Sequence, residues 1–158
     1  GPVYMRFGRL AVPVIYDEAS YKLEIGRGIK MADGSDVTII ATGVTVAMAL
    51  EARATLAAEG IDAAVVNIHT IKPLDRELVI AEARKTGAIV TAEEHNIIGG
   101  LGEAVCAATA EAYPVPVLRV GVEDRFGRSG KVPPLLEMYG ITPANIAAKA
   151  REAVKLKK

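Results

Sequence analysis

The run Val37-Thr38-Ile39-Ile40-Ala41 carries an apolar or β-branched residue at every position rather than at every second one. A strand of that kind has no solvent face, which points to a central strand of a parallel sheet covered on both sides by helices. The segments around it keep the same alternation. A helix is expected from about Thr45 to Glu59, with Ala47, Leu50, Ala54 and Ala57 on its inward face and Gly60 as its stop. Ala63 to Ile68 reads as a strand, Asp75 as the cap of a helix running to Thr86, and Gly87 as its end. Ala88 to Glu93 is the next strand, followed by a helix from about Gly102 that aligns Leu101, Val105, Ala108 and Ala112. Val117 to Val120 is the last strand. Thr142-Pro143 opens a closing helix that turns Ile146, Ala150, Ala153 and Val154 inward.

Strands that alternate with helices imply right-handed crossovers and a parallel sheet. Arg27 to Met31 adds one more short strand, and Asp33-Gly34 suits a tight hairpin turn that would set it antiparallel to the next. The expected architecture is a three-layer α/β/α domain with a mostly parallel sheet of about five strands, the first antiparallel. Residues 3–8 alternate well enough to be a strand, and residues 11–25 read as an irregular linker. The division expected is therefore 1–10, 11–25 and a compact unit over 26–158.

The 158 residues suffice for one such domain with its own core. Nineteen basic residues balance nineteen acidic ones, which gives no electrostatic case for nucleic acid or an anionic membrane as a partner. The basic end, Lys155, Lys157 and Lys158, reads as a solvated helix terminus. One cysteine, Cys106, excludes an internal disulfide, and a small buried thiol in a reducing, cytoplasmic setting is expected. No apolar stretch approaches the roughly 20 residues of a membrane helix, and no signal peptide is visible, so a soluble chain is expected. The start at Gly1-Pro2-Val3 reads as a processed product, an expression scar or a piece of a longer chain.

Ligands of open α/β sheets collect at the carboxyl ends of the strands. The most unusual of those ends is Glu93-Glu94-His95-Asn96-Ile97-Ile98-Gly99-Gly100-Leu101-Gly102. Gly100 and Gly102 at a helix start, with Glu123 about twenty residues on, suggest a phosphate cradle. Val105 stands where a third glycine would be, and the glycines follow a long loop rather than a tight turn. Glu93, Glu94 and His95 are proton movers by type, or else bonding groups for the loop's own amides and for an interface. His69 is read as structural. The residues alone describe no complete active site: there is no nucleophile elbow, Walker loop or zinc-binding spacing.

Several motifs occur together in an order that resembles the transketolase-like thiamine diphosphate enzymes. They are Arg6-Phe7-Gly8-Arg9, Asp36 to Gly43, Lys72-Pro73-Leu74-Asp75, Glu93 to Gly102, Gly121 to Gly130 and Tyr139-Gly140-Ile141. The likeness is to the C-terminal domain of the transketolases, particularly those whose C-terminal half is a separate subunit. Residues 1–10 would then be the terminal strand of the preceding pyrimidine-binding domain. The resemblance implies a parent transferase that moves a two-carbon ketol unit between sugar phosphates, with thiamine diphosphate and magnesium. It also implies that this piece serves assembly, as a homo-dimer together with the remaining domains or an N-terminal subunit. The Gly-Asp-Gly motif that holds magnesium and the diphosphate is missing, so no cofactor is expected on the fragment itself, and none of its residues is assigned a catalytic or metal-binding role. Arg6 matches the arginine that binds the substrate phosphate; Arg9 is a weaker match. Glu93, Glu94, His95, Gly99, Gly100 and Gly102 form a structural or interface loop. Related readings are the C-terminal domain of 1-deoxy-D-xylulose-5-phosphate synthase or of a 2-oxo-acid dehydrogenase beta subunit. A free-standing nucleotide-binding module is the alternative from another class.

Overall fold

The computed structural model describes residues 1–8 and 11–157. Ten elements follow one another: β1 (Ile29–Ala32), β2 (Val37–Ala41), α1 (Thr45–Ala58), β3 (Ala63–Asn67), α2 (Arg76–Thr86), β4 (Ile89–Asn96), α3 (Leu101–Ala112), β5 (Val117–Val122), α4 (Val132–Met138) and α5 (Pro143–Lys155). The strands form one sheet in the order β1-β3-β2-β4-β5. β2, β3, β4 and β5 are parallel, and β1 runs antiparallel along the outer edge of β3.

The period of two along each strand divides the core between the sheet's faces. Ile39, Val65 and Val90 meet α1 and α5 on one side, in a cluster with Val46, Ala49, Leu56, Ile146 and Ala150. Ile40, Val66 and Ile89 meet α2 and α3 on the other, with Val79, Ala83, Leu101 and Val105. Burying each large side chain contributes roughly 1.5–3 kcal/mol, so two filled faces hold the sheet between its helices. The three-layer α/β/α reading with a first antiparallel strand is therefore observed.

The helix boundaries follow local chemistry. The Asp75 carboxylate accepts the Leu78 N–H at 3.1 Å and opens α2; Gly87, at φ 69°, closes it in the left-handed conformation. Thr142 accepts the Asn145 N–H at 3.2 Å with Pro143 in the first turn of α5.

Four expectations need correction. Residues 3–8 form no strand and lie exposed, because no neighbouring strand offers them ladder hydrogen bonds among the described residues. Asp33-Gly34 is not a hairpin between paired strands: β1 pairs with β3, and the connection to β2 passes across the start of β3. The N–H groups of Ser35 and Asp36 donate to the Asp62 carbonyl at 3.1 and 2.8 Å. A Cβ on Gly34 would stand 2.3 Å from the Ala63 carbonyl carbon, so glycine serves close approach there rather than a left-handed turn. The inward face of α1 is Val46, Ala49, Ala52 and Leu56, while Ala54 and Ala57 are exposed. Alanines all round the helix left the period without a contrast to read. On α3, Ala112 is exposed, and Thr109 shares the buried face with Leu101, Val105 and Ala108. The short helix α4 carried no visible period in the sequence.

Residues 11–25 hold no helix or strand, although Ile15 packs against the α1–α5 side of the core. The Tyr16 hydroxyl accepts a 2.5 Å hydrogen bond from the Asn67 side-chain amide at the end of β3. Arg9 and Lys158 lie outside the described residues.

Candidate functional site: the strand-end loop after β4

β4 runs three residues past its expected end, and the loop it feeds is built around Glu93. That side chain is 1% exposed. Its two oxygens accept the first amides of α3: Leu101 N–H at 2.7 Å and Gly102 N–H at 2.8 Å. The carboxylate thus sits where an anion would dock on the helix N-terminus, satisfying two of the four free N–H groups and complementing the helix dipole.

The glycines follow from this arrangement. A Cβ on Gly100 would lie 2.1 Å from Glu93 Oε2. On Gly102 it would lie 2.7 Å from Arg119 Cδ and 2.8 Å from Thr91 Oγ1. The glycine-rich run makes room for the protein's own carboxylate and arginine, and the phosphate seat suggested by the spacing is already filled. Glu123, the other half of that pattern, is exposed and pairs with Arg125 at 3.4 Å.

The rest of the loop is tied down residue by residue. The Ile97 N–H donates to the Val122 carbonyl at 3.0 Å, and Arg119 Nη1 donates to the Ile97 carbonyl at 3.0 Å. Asn96 Oδ1 accepts the Ile98 N–H at 2.8 Å. Gly99, at φ 74°, donates its N–H to the Glu103 carboxylate. His95 is half-exposed, with Nδ1 2.7 Å from the Asn96 carbonyl and 3.9 Å from Glu93 Oε2. Arg119 on β5 and Glu103 on α3 hold this loop, and sequence reasoning missed both. Glu103, an acid in the first turn of a helix, was a signal available for the second of them.

Arg6 reaches this loop from the N-terminal segment. Its Nη1 donates to the Glu94 carbonyl at 2.8 Å, and its Nη2 stands 3.5 Å from Glu94 Oε2. Arg6, Glu93, Glu94, His95, Gly99, Gly100 and Gly102 are thereby brought to one end of the sheet. His69 lies at the end of β3, with Nδ1 2.8 Å from the Thr70 hydroxyl. Cys106 on α3 is half-buried, and burial pushes its thiol up.

Beyond β5 the chain is exposed from Glu123 to Lys131, with Phe126 98% exposed. The Tyr139 hydroxyl donates to the Phe126 carbonyl at 2.8 Å. An open depression of about 450 Å³ lies between Arg125, Phe126, Arg128, Met138 and Tyr139. Among the described residues, no three acidic, histidine or cysteine side chains converge to hold a metal ion, and no helix is long and apolar enough to cross a membrane.

Residues 26–146 match the family described as "Transketolase, C-terminal domain". The chain is 45% identical to the 6-deoxy-6-sulfo-D-fructose transketolase subunit SqwH of Clostridium sp. (strain MSTE9), covering 99% of this chain and 48% of that protein. It is 47% identical to the 1-deoxy-D-xylulose-5-phosphate synthase of Heliobacterium modesticaldum, over 96% of this chain and 24% of that one. Among solved structures, a split-gene transketolase described as an inactive beta4 tetramer superposes with a TM-score of 0.96 at 50% identity, covering all of this chain and 52% of its own. The transketolase of Pichia stipitis in complex with sedoheptulose 7-phosphate superposes with a TM-score of 0.60 at 25% identity, over 81% of this chain and 18% of that one. The chain spans about half the length of its split-subunit relative and about a quarter of the synthase. With residues 26–146 matched, this chain belongs to the transketolase C-terminal domain family.

Proposed function

We propose that the chain is the C-terminal part of a thiamine diphosphate-dependent transketolase and works with an N-terminal subunit that carries the cofactor. The observation that carries this reading is the full-length likeness to a split-gene transketolase chain at 50% identity. The reaction would be transfer of a two-carbon ketol unit between sugar phosphates, with the cofactor supplying the chemistry. In this reading residues 1–10 complete the preceding pyrimidine-binding domain, 11–25 link to it, and residues 26–158 serve assembly as a homo-dimer in the cytoplasm. The exposed Phe126 and Met138 fit an assembly surface.

Magnesium and the diphosphate do not fit this chain's donor set. The one deeply buried carboxylate at the strand ends, Glu93, is committed to two amides of α3, and no acidic cluster stands beside it among the described residues. Arg6 would bind the substrate phosphate, because its planar guanidinium can offer parallel, charge-assisted hydrogen bonds to phosphate oxygens.

A second reading, the C-terminal domain of 1-deoxy-D-xylulose-5-phosphate synthase, is favoured by the 47% identity to that enzyme. Donor specificity of the assembled enzyme separates the two. Turnover with xylulose 5-phosphate and an aldose phosphate supports the transketolase reading; an absolute need for pyruvate overturns it. Arg6→Ala is expected to weaken phosphorylated substrates selectively. Equal losses with phosphorylated and unphosphorylated sugars would remove Arg6 from the phosphate.

A further inference from the structure

Glu94 holds Arg6 in two unequal ways. Its backbone carbonyl accepts the Nη1 hydrogen bond at 2.8 Å, whereas its carboxylate stands 3.5 Å from Nη2. The carbonyl is fixed: Glu93 on one side is bonded into α3, and Ile97 beyond it is clamped by Val122 and Arg119. The carboxylate is free to move. Both side chains are about half exposed, 53% for Arg6 and 41% for Glu94, so a solute can reach the pair. A carboxylate and a phosphate ask for the same parallel N–H donors on a guanidinium. Exposed ion pairs are weak enough to be displaced.

We propose that the Glu94 carboxylate is an internal competitor for the phosphate at Arg6, a specificity-determining residue that occupies the guanidinium until a phosphorylated sugar displaces it. The inference rests on the assignment of Arg6 to the substrate phosphate. The carbonyl keeps the arginine in place during the exchange, while the carboxylate weakens phosphate affinity by pairing with Nη2 at 3.5 Å. Its removal therefore strengthens phosphate binding, the opposite of what loss of a merely supporting contact would do.

The test uses the assembled enzyme carrying Glu94→Gln, Arg6→Ala or both. Glutamine keeps the backbone carbonyl and nearly the same shape while removing the charge. The substrates are glyceraldehyde 3-phosphate and glyceraldehyde, and inorganic phosphate serves as competitive inhibitor. In Glu94→Gln, KM for the phosphorylated sugar and the inhibition constant of phosphate are expected to fall about two- to fivefold, the range of an exposed ion pair. KM for glyceraldehyde stays unchanged, as does the melting temperature. In the Arg6→Ala background, Glu94→Gln changes nothing further. An unchanged or raised KM for the phosphorylated sugar in Glu94→Gln overturns the competition, as does the same fall in both backgrounds. If Arg6→Ala alone leaves the preference for the phosphorylated sugar intact, the assignment of Arg6 fails first and the competition falls with it.

Discussion

Replacing Glu93 by glutamine removes one acceptor from a place where two amides need one each. The present carboxylate serves Leu101 N–H at 2.7 Å through one oxygen and Gly102 N–H at 2.8 Å through the other. In Glu93→Gln, the single amide oxygen can serve one of them. The NH₂ group then faces the other N–H, donor against donor, in a site that is 1% exposed. A buried group left unsatisfied costs about 1–3 kcal/mol. Loss of the charge at the helix N-terminus adds about 0.3–1 kcal/mol. The two together predict a destabilisation of about 1–4 kcal/mol, a drop of roughly 3–15 °C in Tm for a domain of this size. Urea and thermal unfolding of the chain, followed by circular dichroism, measure it. A shift below about 2 °C would show that Glu93 does not hold the start of α3 and would undo the account of the glycine-rich loop.

Gly34→Ala is expected to cost about 3 kcal/mol or more, because its Cβ would meet the Ala63–Ala64 backbone at 2.3 Å. Gly43→Ala, which meets nothing within 4 Å, should lose only about 1–2 kcal/mol from its left-handed backbone at φ 60°; equal losses in urea titrations would refute the close-approach argument. Lys85 and Lys30 hold the Asp33 carboxyl down at about 2. A carboxyl depressed in the folded state adds stability above its unfolded value, about 4, and loses it as pH falls towards about 2. Asp33→Asn should flatten that part of the acid-unfolding profile, and an unchanged slope would contradict the pairing. Calorimetry of the chain alone with NAD, ATP or thiamine diphosphate plus magnesium should register no micromolar binding, since Glu93 fills the helix start; a clear isotherm would show that a seat exists.

The layers of this fold were legible because burial on both faces leaves a mark in the sequence. β2 carries an apolar or β-branched residue at every position, and a chain can satisfy that only by covering both sides with helices. Asp75, Gly87 and Thr142-Pro143 were equally readable, since a cap is a local bond between residues three or four apart. The inward face of α1 was not, because alanines on all sides remove the contrast that periodicity needs. The partner of β1 was not either. Asp33-Gly34 is turn chemistry by composition, but whether a strand pairs with its successor or with the strand beyond is decided by which edge of the sheet is open.

The strand-end loop divides along the same line. Residue order alone places glycines, two glutamates and a histidine where an α/β sheet binds its ligands, and the order of the motifs marks the transketolase family. What occupies the helix start depends on the folded chain. Glu93 lies eight residues before Leu101 and bonds to it across a folded loop, and Arg6 meets Glu94 from 88 residues away. Spacing along a chain records local geometry, whereas the identity of the anion on a helix N-terminus depends on which carboxylate the fold brings within hydrogen-bond reach.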